Sequence, residues 1–237
     1  KLVQNEALML FLLVGRLMKE GSSVLFRQLL QVRPVGQNDD RFPADRARLH
    51  VFEKRLEAMR LSGDEKGHVF ELARRLRRGA AVSLGEVFTF LSGLYFRGKL
   101  AYANAFALPD VSRVLVITPT RGLIPAATLV TLSDLREFAE VDIDEGDPRY
   151  RKPLERDLRR LVRQMTPQCE VVLLGSVATG KYVGVLLEIL RERIRFPGDF
   201  VGRGDMSRGG LLLRCAVDRT ELAYIPVQGA VRKGKRP

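Results

Sequence analysis

Residues 170–190 read Glu-Val-Val-Leu-Leu-Gly-Ser-Val-Ala-Thr-Gly-Lys-Tyr-Val-Gly-Val-Leu-Leu-Glu-Ile-Leu, and the way this stretch breaks decides the fold class. Val171–Leu174 is apolar and partly β-branched, which predicts a strand, and it stops at Gly175. A turn of small residues follows over 176–180, and Lys181 opens an apolar segment of helical length. Strand, glycine turn and helix start together aim free backbone N–H groups and a positive dipole end at an anion. Gly175, Ser176, Thr179, Gly180 and Lys181 are therefore candidate phosphate ligands. The letters fit the first seven positions of a P-loop, but the eighth is Tyr182 where magnesium would need Ser or Thr. No later apolar strand ends in a convincing metal-binding Asp. Three readings remain: an NTPase lacking the motif's usual context, an anion site without magnesium, or a glycine turn kept for backbone geometry.

On the carboxyl side, Gly198–Gly210 carries Gly202, Gly204, Gly209 and Gly210 interleaved with Arg203, Asp205, Ser207 and Arg208. Glycines let backbone approach a ligand, and Arg203 and Arg208 supply planar forks for phosphate, so a functional loop is expected here. Leu211–Val217 and Leu222–Val227 are predicted to form a strand hairpin, ahead of a basic tail at Arg232–Pro237. On the amino side, Val111–Thr118 is a predicted strand and Leu135–Ala139 a short helix. Val141–Asp144 is a second strand candidate, and Asp147–Met165 a basic amphipathic helix interrupted by Pro153. Strands alternating with helices predict an α/β protein whose mixed sheet has flanking helices. Arg121 directly follows a strand, where such folds place ligand contacts. Asp142, Asp144 and Asp205 are the candidate acid/base groups.

Residues 1–108 read as mainly helical, against an α/β portion at 109–237, although the two could form one continuous domain. Leu2–Met18 is apolar nearly all round, and Gly21-Ser22-Ser23 separates it from a second short helix. The segment 31–44 is a loop, and 45–78 carries charged helices. Arg74, Arg75, Arg77 and Arg78 precede Gly79: either a phosphate-binding patch or a complement to a helix dipole. Ser83 and Glu86 have the spacing of a capping box. In 92–107, Tyr95, Phe96, Tyr102 and Phe106 mix with Arg97 and Lys99. That mixture suits a base-stacking surface, and it equally suits an amphipathic helix with core aromatics.

The chain's 237 residues hold 40 Lys+Arg against 28 Asp+Glu, a formal charge of +12, which favours a polyanionic partner. Cys169 and Cys215 form no zinc ligand set and read as free thiols, with a single bridge as the alternative. His50 and His68 lie in a charged helical region away from the candidate acids, so no metal site and no Ser-His-Asp set is expected. Ala7–Val14 is too short to span a bilayer, and a soluble, cytoplasmic protein is expected.

The order of these motifs resembles the YaaA-like peroxide-stress proteins and related α/β domains. The likeness rests on Leu94-Tyr95-Phe96-Arg97 with Lys99–Tyr102, on a strand followed by Thr120-Arg121-Gly122-Leu123-Ile124-Pro125, and on Gly175-Ser176 with Lys181-Tyr182 and Phe196-Pro197. It covers about residues 92–201 and implies an α/β fold and DNA binding in genome protection, with no established catalytic residues. The expected function is nucleic-acid binding, DNA before RNA. In this reading the Gly175–Lys181 and Gly202–Arg208 loops hold phosphates, and Arg74, Arg75, Arg77, Arg78, Arg97, Lys99 and Arg121 contact the strand. One alternative is an enzyme acting on a nucleotide or nucleoside through the P-loop-like turn. Another is a subunit whose N-terminal helices dock on a protein partner or a second copy.

Overall fold

The computed structural model describes residues 11–14, 66–107, 113–178 and 181–230. The two helices expected within 1–32 fall outside these residues except at Phe11–Val14, which is strand β1. β1 pairs antiparallel with Arg113–Val116 on one side and with Val171–Leu173 on the other. The expected helix there is corrected. A short all-apolar run has no periodicity that separates a helix from a doubly covered strand, and pairing on both edges decides for the strand.

Helix α1 (Lys66–Arg77) ends at Gly79, whose φ of +80° suits only glycine comfortably. After the short strand β2 (Val82–Ser83) comes α2 (Leu84–Phe106), where the Ser83 hydroxyl accepts the Glu86 N–H at 3.2 Å. Strands β3 (Arg113–Thr118), β4 (Gly122–Pro125) and β5 (Leu129–Val130) lead to α3 (Leu132–Ala139), begun by a reciprocal Thr131–Asp134 capping box. Helix α4 (Pro148–Gln164) starts from the Asp147 cap with proline in its first turn, and it buries Tyr150, Leu154, Leu158 and Leu161 along one stripe. Strand β6 (Val171–Leu173), α5 (Val183–Leu190), β7 (Ile194–Pro197), α6 (Asp205–Asp218) and β8 (Tyr224–Pro226) complete the order.

The fold is mixed α/β. Its main sheet has six strands in the order β4-β3-β1-β6-β7-β8, and β2 pairs with β5 in a separate ribbon. Only the β6–β7 pair is parallel, with α5 as its crossover. Leu115–Ile117 of β3 and Val171–Leu173 of β6 are buried at every position, so both faces of the sheet are covered. The α2–α6 and α4–α5 pairs provide that cover. Each edge strand ends in a proline, Pro125 or Pro226, which removes a donor that another chain could pair with.

Three further expectations are corrected. Residues 141–144 form no strand. Leu211–Val217 lies inside α6, and Tyr224–Pro226 pairs antiparallel with β7 instead of closing a hairpin. Gly209 and Gly210, expected in a polar loop, also lie within α6. The glycine signal there belongs to helix packing. A Cβ at Gly98 of α2 would stand 2.6 Å from the Gly209 carbonyl oxygen, and one at Gly209 would stand 2.8 Å from Tyr95 Cα. Tyr102 fastens α2 to the last strand, its hydroxyl accepting the Leu222 N–H at 2.9 Å and sharing a 2.7 Å hydrogen bond with Tyr224. Cys169 and Cys215 are both free and buried.

Because backbone meets backbone at this crossing, Gly98→Ala must separate the two helices. The expected loss is about 1–3 kcal/mol, read from the denaturant midpoint at unchanged slope. An exposed helical glycine-to-alanine change would instead be neutral or stabilising.

Candidate functional site

The carboxyl ends of parallel strands are where α/β folds bind ligands, and here that place follows β6 and β7. Leu174 and Gly175 are buried as the chain leaves β6. The Ser176 hydroxyl accepts the Ala178 N–H at 3.3 Å, which folds the turn on itself. Tyr182 is fully buried and donates its hydroxyl to the Ser176 carbonyl at 2.6 Å. In this fold the eighth P-loop position is therefore a strut across the turn. Lys181 is exposed and precedes the helix cap at Tyr182, so it stands outside the first turn of α5. Thr179 and Gly180 lie outside the described residues.

The amino end of α5 faces a carboxylate from the chain itself. A Cβ at Gly184 would lie 2.7 Å from Glu145 Oε2 and 3.3 Å from Oε1, so the carboxylate packs against the first helical turn. Negative charge is favourable there, which leaves the P-loop-like turn with an internal anion. Among the described residues, Glu145 Oε2, Tyr150 Oη and Tyr95 Oη are buried polar atoms without a hydrogen-bond partner. Burial pushes the Tyr150 phenol well above its ordinary value, and the nearby Tyr182 and Glu145 push the same way. Tyr95 is likewise driven up by burial, opposed by the Arg208 guanidinium and reinforced by Asp205 and Tyr182. Arg208 lies close enough to favour the phenolate, yet no hydrogen bond of regular geometry joins the two side chains. Lys99, only 3% exposed, places Nζ 3.8 Å from the Tyr95 ring centroid. Glu145 thus stands at the amino end of α5, while Tyr95 packs with Lys99 of its own helix beside Asp205 and Arg208, where α2 crosses α6.

The other expected ligands are distributed differently. Arg208 donates Nε and Nη2 to the Phe200 carbonyl at 3.2 and 3.1 Å and pairs with Asp205 at 3.2 Å. Its side chain is 11% exposed, so its fork holds the 198–200 turn. Arg203 donates to the Asp199 carbonyl at 2.9 Å and to the Ser207 hydroxyl at 3.2 Å. Arg121 bridges Asp134 at 2.6 Å and also grips Glu137, clamping α3 to the β3–β4 turn. Arg74 pairs with Glu71, and Arg75 with Glu86 at 3.0 Å. Arg77, Arg78 and Arg97 are exposed and have no ion pair among the described residues. Asp142 and Asp144 are exposed in the 141–147 loop, where Asp144 Oδ1 accepts the Gly146 N–H at 2.9 Å.

One cationic surface was not singled out residue by residue. Lys152, Arg156, Arg159, Arg160 and Arg163 are all exposed and lie on α4 opposite its buried stripe. Arg156 pairs with Asp157 and Arg159 with Glu155, while Lys152, Arg160 and Arg163 have no ion pair among the described residues. The signal was available as cations spaced three and four apart, out of phase with Tyr150, Leu154, Leu158 and Leu161.

Among the described residues, no three His, Cys, Asp or Glu side chains form a group able to hold a metal ion, and no helix is long and apolar enough to cross a membrane. The chain matches no family model, no curated protein and no solved structure.

The Arg121 clamp makes a pH-dependent contribution to stability. Burial disfavours ionised Asp134, but hydrogen bonds from the Thr131 backbone and hydroxyl and from Arg121 outweigh it, and the carboxyl sits below its ordinary value. A depressed carboxyl stabilises the fold above its unfolded pKa and loses that contribution as pH falls through the folded value. Asp134→Asn should therefore cost about 1 kcal/mol at neutral pH. The gap to the wild type should close below about pH 4, as measured by melting temperature against pH. A gap that widens on acidification would refute the assignment.

Proposed function

We propose that the protein binds nucleic acid through its phosphate backbone, with the outer face of α4 as the principal contact. The observation that carries this reading is the unbroken cationic stripe Lys152–Arg156–Arg159/Arg160–Arg163. Eleven residues of helix separate its ends, about 16 Å at 1.5 Å per residue. That length matches the axial rise of about five base pairs of duplex. The formal charge of +12 works in the same direction by raising the encounter rate with a polyanion. The resemblance to YaaA-like proteins favours DNA over RNA. Several arginines expected to contact phosphate are already engaged with carboxylates or carbonyls, so the α4 face carries more of this reading than the glycine-rich segments.

Lys152, Arg160 and Arg163 test it best, because replacing them leaves no carboxylate unpaired among the described residues. Fluorescence anisotropy with a labelled DNA duplex over a range of salt should give a steep slope of log affinity against log salt. Changing all three residues to Gln should lower that slope by about 2.7, roughly 0.9 per lost phosphate contact. Unfolding should be unchanged, since all three are exposed. A variant that binds with the wild-type slope would overturn the assignment to α4.

A further inference from the structure

We propose that the α4 contact is one-sided: the nucleic-acid backbone lies from Lys152 toward the carboxyl end of the helix and continues over residues 166–168. Arg149 takes no phosphate. The inference rests on the nucleic-acid reading and adds the position and direction of the strand on that face.

Helical spacing puts Arg149 in one row with Lys152, Arg156, Arg160 and Arg163, at steps of three and four residues. Its side chain is 67% exposed, so by position it would open the stripe. Its fork is turned elsewhere. Nε donates to both carboxylate oxygens of Asp147 at 3.1 Å, and Nη2 donates to one of them at 2.6 Å. Asp147 also accepts the Arg149 N–H at 2.8 Å, so one carboxylate caps the helix and neutralises its first cation. Arg156 is paired too, with Asp157, but it has cations of the stripe on both sides. On the far side of Arg149 the charged residues of 140–147 are all acidic: Glu140, Asp142, Asp144, Glu145 and Asp147. Two tight turns keep this loop at the amino end of α4. The Asp144 N–H donates to the Asp142 carbonyl and the Asp147 N–H to the Asp144 carbonyl, both at 3.0 Å. Glu140, Asp142 and Asp144 are exposed, and Glu140 and Asp144 have no ion pair among the described residues. Carboxylates also suit the positive pole of the helix, so a phosphate arriving there meets a position already occupied by negative charge.

The carboxyl end is different. Thr166, Pro167 and Gln168 are exposed and uncharged, and the Thr166 hydroxyl and Gln168 amide are donors of the kind that phosphate oxygens accept. The next acid, Glu170, is paired with Arg195 at 2.9 Å. The 17 residues of α4 span about 25 Å, about three times the Debye length of about 8 Å at physiological salt. Each end therefore acts on its own surroundings: the amino end repels a line of phosphates and the carboxyl end admits it.

Matched carboxylates read this asymmetry. Pro148→Glu and Gln168→Glu each add one negative charge at exposed positions near opposite ends of α4. In anisotropy with the labelled DNA duplex at moderate salt, Gln168→Glu and Thr166→Glu should each weaken binding about threefold to tenfold. Pro148→Glu should change it by less than about twofold. Glu140→Gln combined with Asp144→Asn should strengthen binding about threefold, an effect that disappears in high salt. Asparagine at 144 keeps an acceptor for the Gly146 N–H. These variants should melt near the wild type, since the replaced residues are exposed. The proposal is overturned if Pro148→Glu costs as much as Gln168→Glu, if Gln168→Glu and Thr166→Glu are both silent, or if the neutralised loop binds no more tightly than the wild type. The Lys152, Arg160 and Arg163 variant separates it from the reading beneath it. A wild-type salt slope in that variant removes both; a lowered slope with ends that respond alike removes only the one-sidedness.

Discussion

The contact of Gly98 with Gly209 sets how closely α2 and α6 can approach, and much of the described molecule depends on that closeness. With backbone against backbone, Tyr95 on α2 comes within reach of Asp205 and Arg208 at the start of α6. The same approach lets the 198–200 turn settle over Tyr95, with Phe200 edge-on to its ring at 6.3 Å. Arg208 then holds that turn by its carbonyl. A side chain at either glycine would displace an entire helix, since the opposing atoms are backbone and cannot rotate away.

The chain divides its positive charge between two uses. Arg121, Arg203 and Arg208 serve internal architecture, each donating to carbonyls, hydroxyls or carboxylates of the chain itself. Forked guanidinium groups suit this work because one side chain reaches two elements. The cations of α4 face outward instead, and their few acidic partners lie on the flanks of the stripe. Charge excess alone cannot tell these uses apart, because it counts both alike.

Glu145 is the residue that most changes how the 175–182 turn is understood. A strand, a glycine turn and a helix start make an anion site only if that helix end is vacant. Here a carboxylate from the loop before α4 packs against the first turn of α5, and Tyr182 braces the turn from within. The same backbone physics that attracts phosphate elsewhere attracts a side chain here.

Much of the architecture was legible locally. The β3 and β6 strands, the Ser83 cap, the α4 stripe and the α/β class follow from periodicity, β-branched content and capping chemistry, all of which act over a few residues. What local pattern could not convey was the meaning of residues whose role depends on a distant partner. Phe11–Val14 is a strand because β3 and β6 flank it, Gly209 is helical because Gly98 faces it, and Tyr224–Pro226 pairs with β7 and not with its neighbour in sequence. The candidate site divides the same way. Its tyrosines and arginines were visible as residue types at suggestive places. Glu145 was not, since its place against the first turn of α5 depends on how the loop before α4 packs. Composition and short-range pattern determined the elements and the sign of the surface charge; the packing of distant segments decided which charges face the solvent and which polar groups remain unpaired, because burial and hydrogen-bond partnership are properties of the assembled chain.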